Sequence, residues 1–129
     1  MIDISILILR IAVGITMAVH GLDKFQRREE LEDKWNQKYG FPKSFVVLNG
    51  VLQLMSGGMI TIGLFTQVMS MILVIDMVAA TWISVTKNEE PFLSSSKGKG
   101  WDINFTLILG LLALVFLGEG SLSVAGLFK

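Results

Sequence analysis

Long apolar runs separated by two crowded blocks of charge constrain this chain more than any other feature. The charged blocks are residues 23–43 and 87–102. A soluble helix carries a polar stripe along its whole length. Here the polar residues are gathered between the apolar runs instead. Of the 129 residues 52% are hydrophobic and 17% charged, too little charge to coat a small soluble domain with its large surface. A membrane span needs about 20 mainly apolar residues. Four runs approach that length, 4–22, 45–65, 68–86 and 103–117. The last is the shortest and is extended by Trp101 at one end and Leu122 at the other. The expected fold is all-α: one membrane domain over 1–129, a four-helix transmembrane bundle. The first run carries Arg10 and lacks a basic leading segment, so it reads as a helix that stays, not as a cleaved signal.

The connections refine this picture. Only Phe65, Thr66 and Gln67 separate the second and third runs, which predicts an antiparallel helical hairpin with Gly63 ending its first helix. The first connection, 23–44, is long. Within it 26–38 is rich in helix formers, and Leu31, Trp35 and Tyr39 recur every four residues, which predicts an amphipathic helix lying at the membrane surface. Gly40, Phe41 and Pro42 end it. The other long loop, with Pro91, serines and glycines, is expected to be irregular. Lys24, Arg27, Arg28, Lys34, Lys38, Lys43, Lys87, Lys97 and Lys99 lie on the side of the two long loops and Lys129 on the other, nine against one. That bias predicts a multi-pass cell-membrane protein with loops 23–44 and 87–102 cytoplasmic and both termini outside. Zero formal net charge argues against nucleic acid as a partner. With no cysteine and one histidine, thiol catalysis, disulfides, thiolate sites and all-histidine metal sites are excluded, and no metal site is predicted. Membrane lipid, and either other subunits of a membrane complex or further copies of the chain, are the expected partners.

Ionisable groups inside a span need a partner or a task. Arg10 and Asp76 fall at similar depths in spans one and three, so a buried Arg10–Asp76 ion pair is the sequence expectation. Such a pair would pin two helices; a role in proton or substrate handling is the alternative. A second group gathers toward the long-loop side. His20 and Lys24 are one turn apart, Asn49 and Gln53 have the same spacing, Trp82 closes span three, and Trp101, Asp102 and Asn104 open span four. Convergence from four helices suggests a ligand or redox site at His20, Lys24, Asn49, Gln53, Trp82, Asp102 and Asn104. Interfacial anchoring by Trp and Lys explains the same residues without a ligand. No residue is assigned a catalytic role. Gly50, Gly57 and Gly58, with Ala12, Gly14, Ala79, Ala80, Gly110 and Ala113, predict close helix packing. The methionines at 55, 59, 69, 71 and 77 suit core, lipid-facing or planar-ligand surfaces.

The segment Leu9-Arg10-Ile11-Ala12-Val13-Gly14, followed by His20-Gly21-Leu22-Asp23-Lys24-Phe25, resembles the opening of the DoxX family of four-helix membrane proteins. Gly50-Val51-Leu52-Gln53-Leu54-Met55-Ser56-Gly57-Gly58, the turn Gly63-Leu64-Phe65-Thr66 and the end Gly118-Glu119-Gly120-Ser121-Leu122-Ser123 are similar to further family patterns. Gln53 stands where members often have glutamate, and Ala125 where an aspartate often follows. The charged first loop is longer than the family pattern and reads as a partner-docking addition. The family takes its name from a subunit of an archaeal thiosulfate:quinone oxidoreductase. The resemblance therefore implies a quinone-linked redox subunit, with no covalently bound cofactor and quinone as the diffusible carrier. A non-catalytic anchor or assembly subunit is the competing reading, and a small-solute transporter a weaker one. On the quinone reading, His20, Gln53 and Trp82 are expected to share one site near the cytoplasmic helix ends.

Overall fold

The computed structural model describes residues 1–128; Lys129, the single basic residue assigned above to the side opposite the long loops, lies outside the described residues. The helices are α1 (Ile2–Gln26), α2 (Arg28–Tyr39), α3 (Ser44–Ile62), α4 (Thr66–Thr86) and α5 (Asp102–Leu117), followed by a short 3₁₀ turn, Ala125–Phe128. Among the described residues no strand is formed. α1, α3 and α4 are long and apolar enough to cross a membrane, and α5, with 16 residues, is the short fourth member. Polarity is inverted relative to a soluble protein. Ile8, Ile75 and Phe116 point outward, while Arg10, Gln53, Ser56, Thr66, Ser70 and Asn104 are buried. Only a hydrocarbon surround makes that distribution favourable.

The long connections join the helices at one end of the bundle, called the loop end. The opposite turn end holds the start of α1, the α3–α4 turn and the segment after α5. The turn is Gly63-Leu64-Phe65, two residues earlier than the sequence suggested, because α4 begins at Thr66. Gly63 takes φ 78°, and its amide bonds back to Met59 and Ile60, closing α3. α2 realises the helix expected in the first loop, buries Leu31, and ends on Gly40 at φ 73°. Among the described residues, the 87–100 loop has no helix and is tied to α5 by Asp102, which accepts from the Ser94 amide (3.1 Å) and hydroxyl (2.5 Å).

Around the bundle the order is α1, α3, α4, α5, so α1 and α4 stand on a diagonal with no close backbone approach. What sets α1 beside α3 is glycine. Gly14 and Gly21 of α1 are seven residues apart, as are Gly50 and Gly57 of α3. A methyl group at Gly57 would lie 2.5 Å from the Ala18 amide nitrogen, and one at Gly21 would lie 2.5 Å from that of Leu54. The two backbones are in contact, which gains dispersion energy that side chains would forfeit by holding the helices apart. Leu73, Met77, Leu107, Leu111 and Leu114 fill the space between α4 and α5, and Ile6, Val13, Met17 and Ile60 complete the core.

Candidate functional site

Arg10 does not pair with Asp76. It lies 2% exposed at the turn end and donates to four backbone oxygens: Nε to Ile60 (3.1 Å), Nη2 to Thr61 (3.1 Å), and Nη1 to Glu119 (2.7 Å) and Leu122 (2.8 Å). The carbonyls of Ile60 and Thr61 belong to the last turn of α3, which lacks intrahelical donors and carries the negative end of the helix dipole. Glu119 supplies the opposing charge. Arg10 thus staples α3 to the segment following α5. The expected ion pair fails because similar depth does not make two helices neighbours, and α1 and α4 face each other across a diagonal.

The basic partner of Asp76 is Lys24, acting through an amide. Lys24 Nζ donates to Gln53 Oε1 at 2.7 Å, and Gln53 Nε2 donates to Asp76 Oδ2 at 2.7 Å. Asn49 Nδ2 donates to the second carboxylate oxygen. Side chains on a helix lean toward its N-terminus. Lys24, two residues from the end of α1, therefore reaches back into the bundle instead of out to the loops. Asn49 and Gln53, one turn apart on α3, bridge between α1 and α4. Every donor points from the cation toward the anion, so the network is polarised in one sense and strengthened by it. Gln53 is 4% exposed, whereas Asp76 is half-buried and keeps access to the bundle surface. An amide passes polarisation but does not readily pass a proton. The Gln53 amide therefore stands between Lys24 Nζ and the Asp76 carboxylate, which share no direct hydrogen bond.

Trp82 stands apart from this network, 68% exposed on the outer face of α4. It lines an open groove of about 730 Å³ with Tyr39, Phe41, Ile75, Ala79 and Ile83. Tyr39 closes one wall by donating its hydroxyl to Asn88 Oδ1 at 2.7 Å, joining the end of α2 to the loop after α4. Helical spacing puts Asp76, Ala79 and Ile83 along one side of α4, so the groove-lining Ala79 lies one turn from Asp76, which is not itself part of the lining.

The remaining sequence candidates separate. His20 is half-buried on α1, among Lys24, Lys99 and Asp23, and lies diagonally away from Trp82. The expected meeting of His20, Gln53 and Trp82 in one pocket therefore does not occur. Asp102 fixes the loop, and Asn104 is buried at the start of α5. The structure gathers Lys24, Asn49 and Gln53 from the expected group and adds Asp76, which the sequence reading had given to Arg10. The available signal was the one-turn spacing of Asn49 and Gln53 opposite a mid-helix acid on the adjoining hairpin helix.

Comparison with known proteins places these residues in a family context. The DoxX family model matches residues 5–85, which contain Lys24, Asn49, Gln53, Asp76 and Trp82. A protein of Mycobacterium tuberculosis described as an uncharacterized membrane protein is 27% identical over 128 residues, covering 93% of this chain and 78% of its own length. A protein of Bacillus subtilis named "Putative oxidoreductase CatD" is 25% identical over 122 residues, covering 95% of this chain and 85% of its own. No solved structure matches the chain.

Proposed function

The chain belongs to the DoxX family, and on that premise we propose that it is a membrane subunit of a quinone-linked redox complex. The observation that carries this reading is an apolar, aromatic-walled groove on α4 whose lining residue Ala79 lies one helical turn from Asp76 of the polarised Lys24–Gln53–Asp76–Asn49 network. The residues fit a quinone. Ala79 leaves room beside α4, Trp82 and Ile83 offer flat apolar surface, and the open side admits a long tail from the lipid. Asn49 retains a second amide hydrogen for a carbonyl at the inner edge. A quinone, when bound, carries electrons and protons together, and electrons must come from a partner because these side chains cannot store them. Asp76 holds or releases a proton at its carboxylate. Lys24, Gln53 and Asn49 orient that carboxylate, and the surrounding α3 and α4 side chains exclude bulk water. The oxidoreductase designation of the Bacillus subtilis relative agrees with a redox role.

Binding is tested with purified protein in lipid nanodiscs carrying Trp35→Phe and Trp101→Phe, so that Trp82 is the only emitter. A short-chain quinone should quench its fluorescence saturably, and Gln53→Leu should raise the half-saturating concentration. Quenching that stays linear and matches a variant retaining only Trp101 reports partition into lipid and removes the quinone site. The anchor-subunit reading would then stand.

The loop end is proposed to face the cytoplasm, on the weight of its nine basic residues. A single thiol at Ser95→Cys should react with an impermeant maleimide from the cytoplasmic side and one at Ser123→Cys from outside. The opposite pattern reverses the orientation.

A further inference from the structure

Serine and threonine hydroxyls inside helices usually bond to the carbonyl one turn back. Thr16, Thr61, Thr81, Thr86 and Thr106 all do so here, at 2.6–3.0 Å. Ser70 of α4 does not, and Thr66, the first residue of α4, has no helical turn behind it to bond. Both are fully buried, and neither hydroxyl has a protein partner. A buried hydroxyl without a partner costs free energy that a water molecule recovers, given further polar groups in reach. Thr66 also lines a cleft of about 290 Å³ at the turn end, with Leu64, Phe65, Gln67, Glu119 and Ala125.

Depth below the turn end, taken along α3 from Ile62 and along α4 from Thr66, orders the buried polar side chains into a ladder. At 1.5 Å per residue Thr66 lies at the mouth, Ser70 about 6 Å in, Ser56 about 9 Å, Gln53 about 13 Å and Asp76 about 15 Å. Ser56 is buried on α3 one turn from Gln53, on the same face. Each step is about 6 Å or less along the bundle axis, and bound water would also have to span the lateral gap between α3 and α4. Arg10, the buried cation at this end, is occupied by four backbone oxygens and opposed by Glu119, which tempers its repulsion of a proton.

We propose that Thr66, Ser70 and Ser56 line a hydrated proton path from the Glu119 cleft to the Asp76–Gln53 network. One proton enters from water at the turn end, and one is delivered to the Asp76 carboxylate. The path rests on the reading of Asp76 as the proton-exchanging group of the proposed site. It gives that group access to the side opposite the long loops.

The chain has no cysteine, so a single introduced thiol is the only one present. Thr66→Cys, Ser70→Cys and Ser56→Cys are made in the full chain and reconstituted in sealed vesicles. Ag⁺ is added at the turn-end face, and unreacted thiol is then counted with a maleimide after denaturation. Ile75→Cys, on the outer face of α4, is the comparison. The thiols at 70 and 56 should be blocked roughly tenfold or more faster than that at 75, because a thiol ionises and binds the metal where water reaches it. Ser56→Cys reports from a different helix, so misfolding of either α4 variant leaves the path testable. Blocking at 70 and 56 no faster than at 75, or only from the loop end, overturns the path. Saturable Trp82 quenching with no Ag⁺ access would remove the path alone; access without quenching would keep the path and remove the quinone.

Discussion

Arg10→Leu is expected to destabilise the folded chain by roughly 3–5 kcal/mol, the cost of stranding the partners of a buried charge. Four backbone oxygens lose their donor, two at the end of α3 and two beyond α5, and Glu119 loses its opposing charge. Arg10→Lys should recover only part of this. An ammonium presents its donors from one point, whereas the guanidinium spreads them across two chain segments. Adding Asp76→Leu to Arg10→Leu should give no rescue, because the two residues share no partner and their effects should add. Thermal unfolding in mild detergent, followed by loss of monodisperse elution, measures these three variants and Asp76→Leu alone. A double variant more stable than Arg10→Leu alone would restore the direct pair that the geometry denies.

That prediction marks the boundary between what the sequence carries and what it does not. Apolar run length, the charged blocks and Gly63 suffice for the four membrane helices and the α3–α4 hairpin, because these are local properties of the chain. Leu31, Trp35 and Tyr39 likewise announce α2. Neighbour relations are not local. Arg10 and Asp76 match in depth, yet the seven-residue glycine spacing on α1 and α3 decides that α1 lies against α3. That spacing was read in α3 as a sign of close packing, but its partner helix could not be named from it. Trp82 was assigned to the polar cluster by depth, while the rotation of α4 turns it to the outer groove. His20 belongs to a helix that stands diagonally from α4, while Trp82 faces outward. Thr66 and Ser70 left no trace in the sequence reading, since a buried hydroxyl without a protein partner is a property of the packed side chain.

On the proposed function, Asp76, held by Asn49 and Gln53 one helical turn from the groove-lining Ala79, exchanges protons with a bound quinone. Asp76→Asn is nearly isosteric; its amide oxygen can accept from Gln53, and its NH2 can donate to Asn49 once the Asn49 amide flips, so the bundle should assemble normally. It removes both the charge and the site of protonation. Positioned acid–base groups contribute about 10²–10⁴-fold to rate. In native membranes that contain the chain, reduction of a short-chain quinone by its complex should therefore fall by about that factor, with the amount of assembled protein unchanged. Electron transfer at the wild-type rate in the Asp76→Asn membranes would contradict the account and leave the chain a membrane anchor.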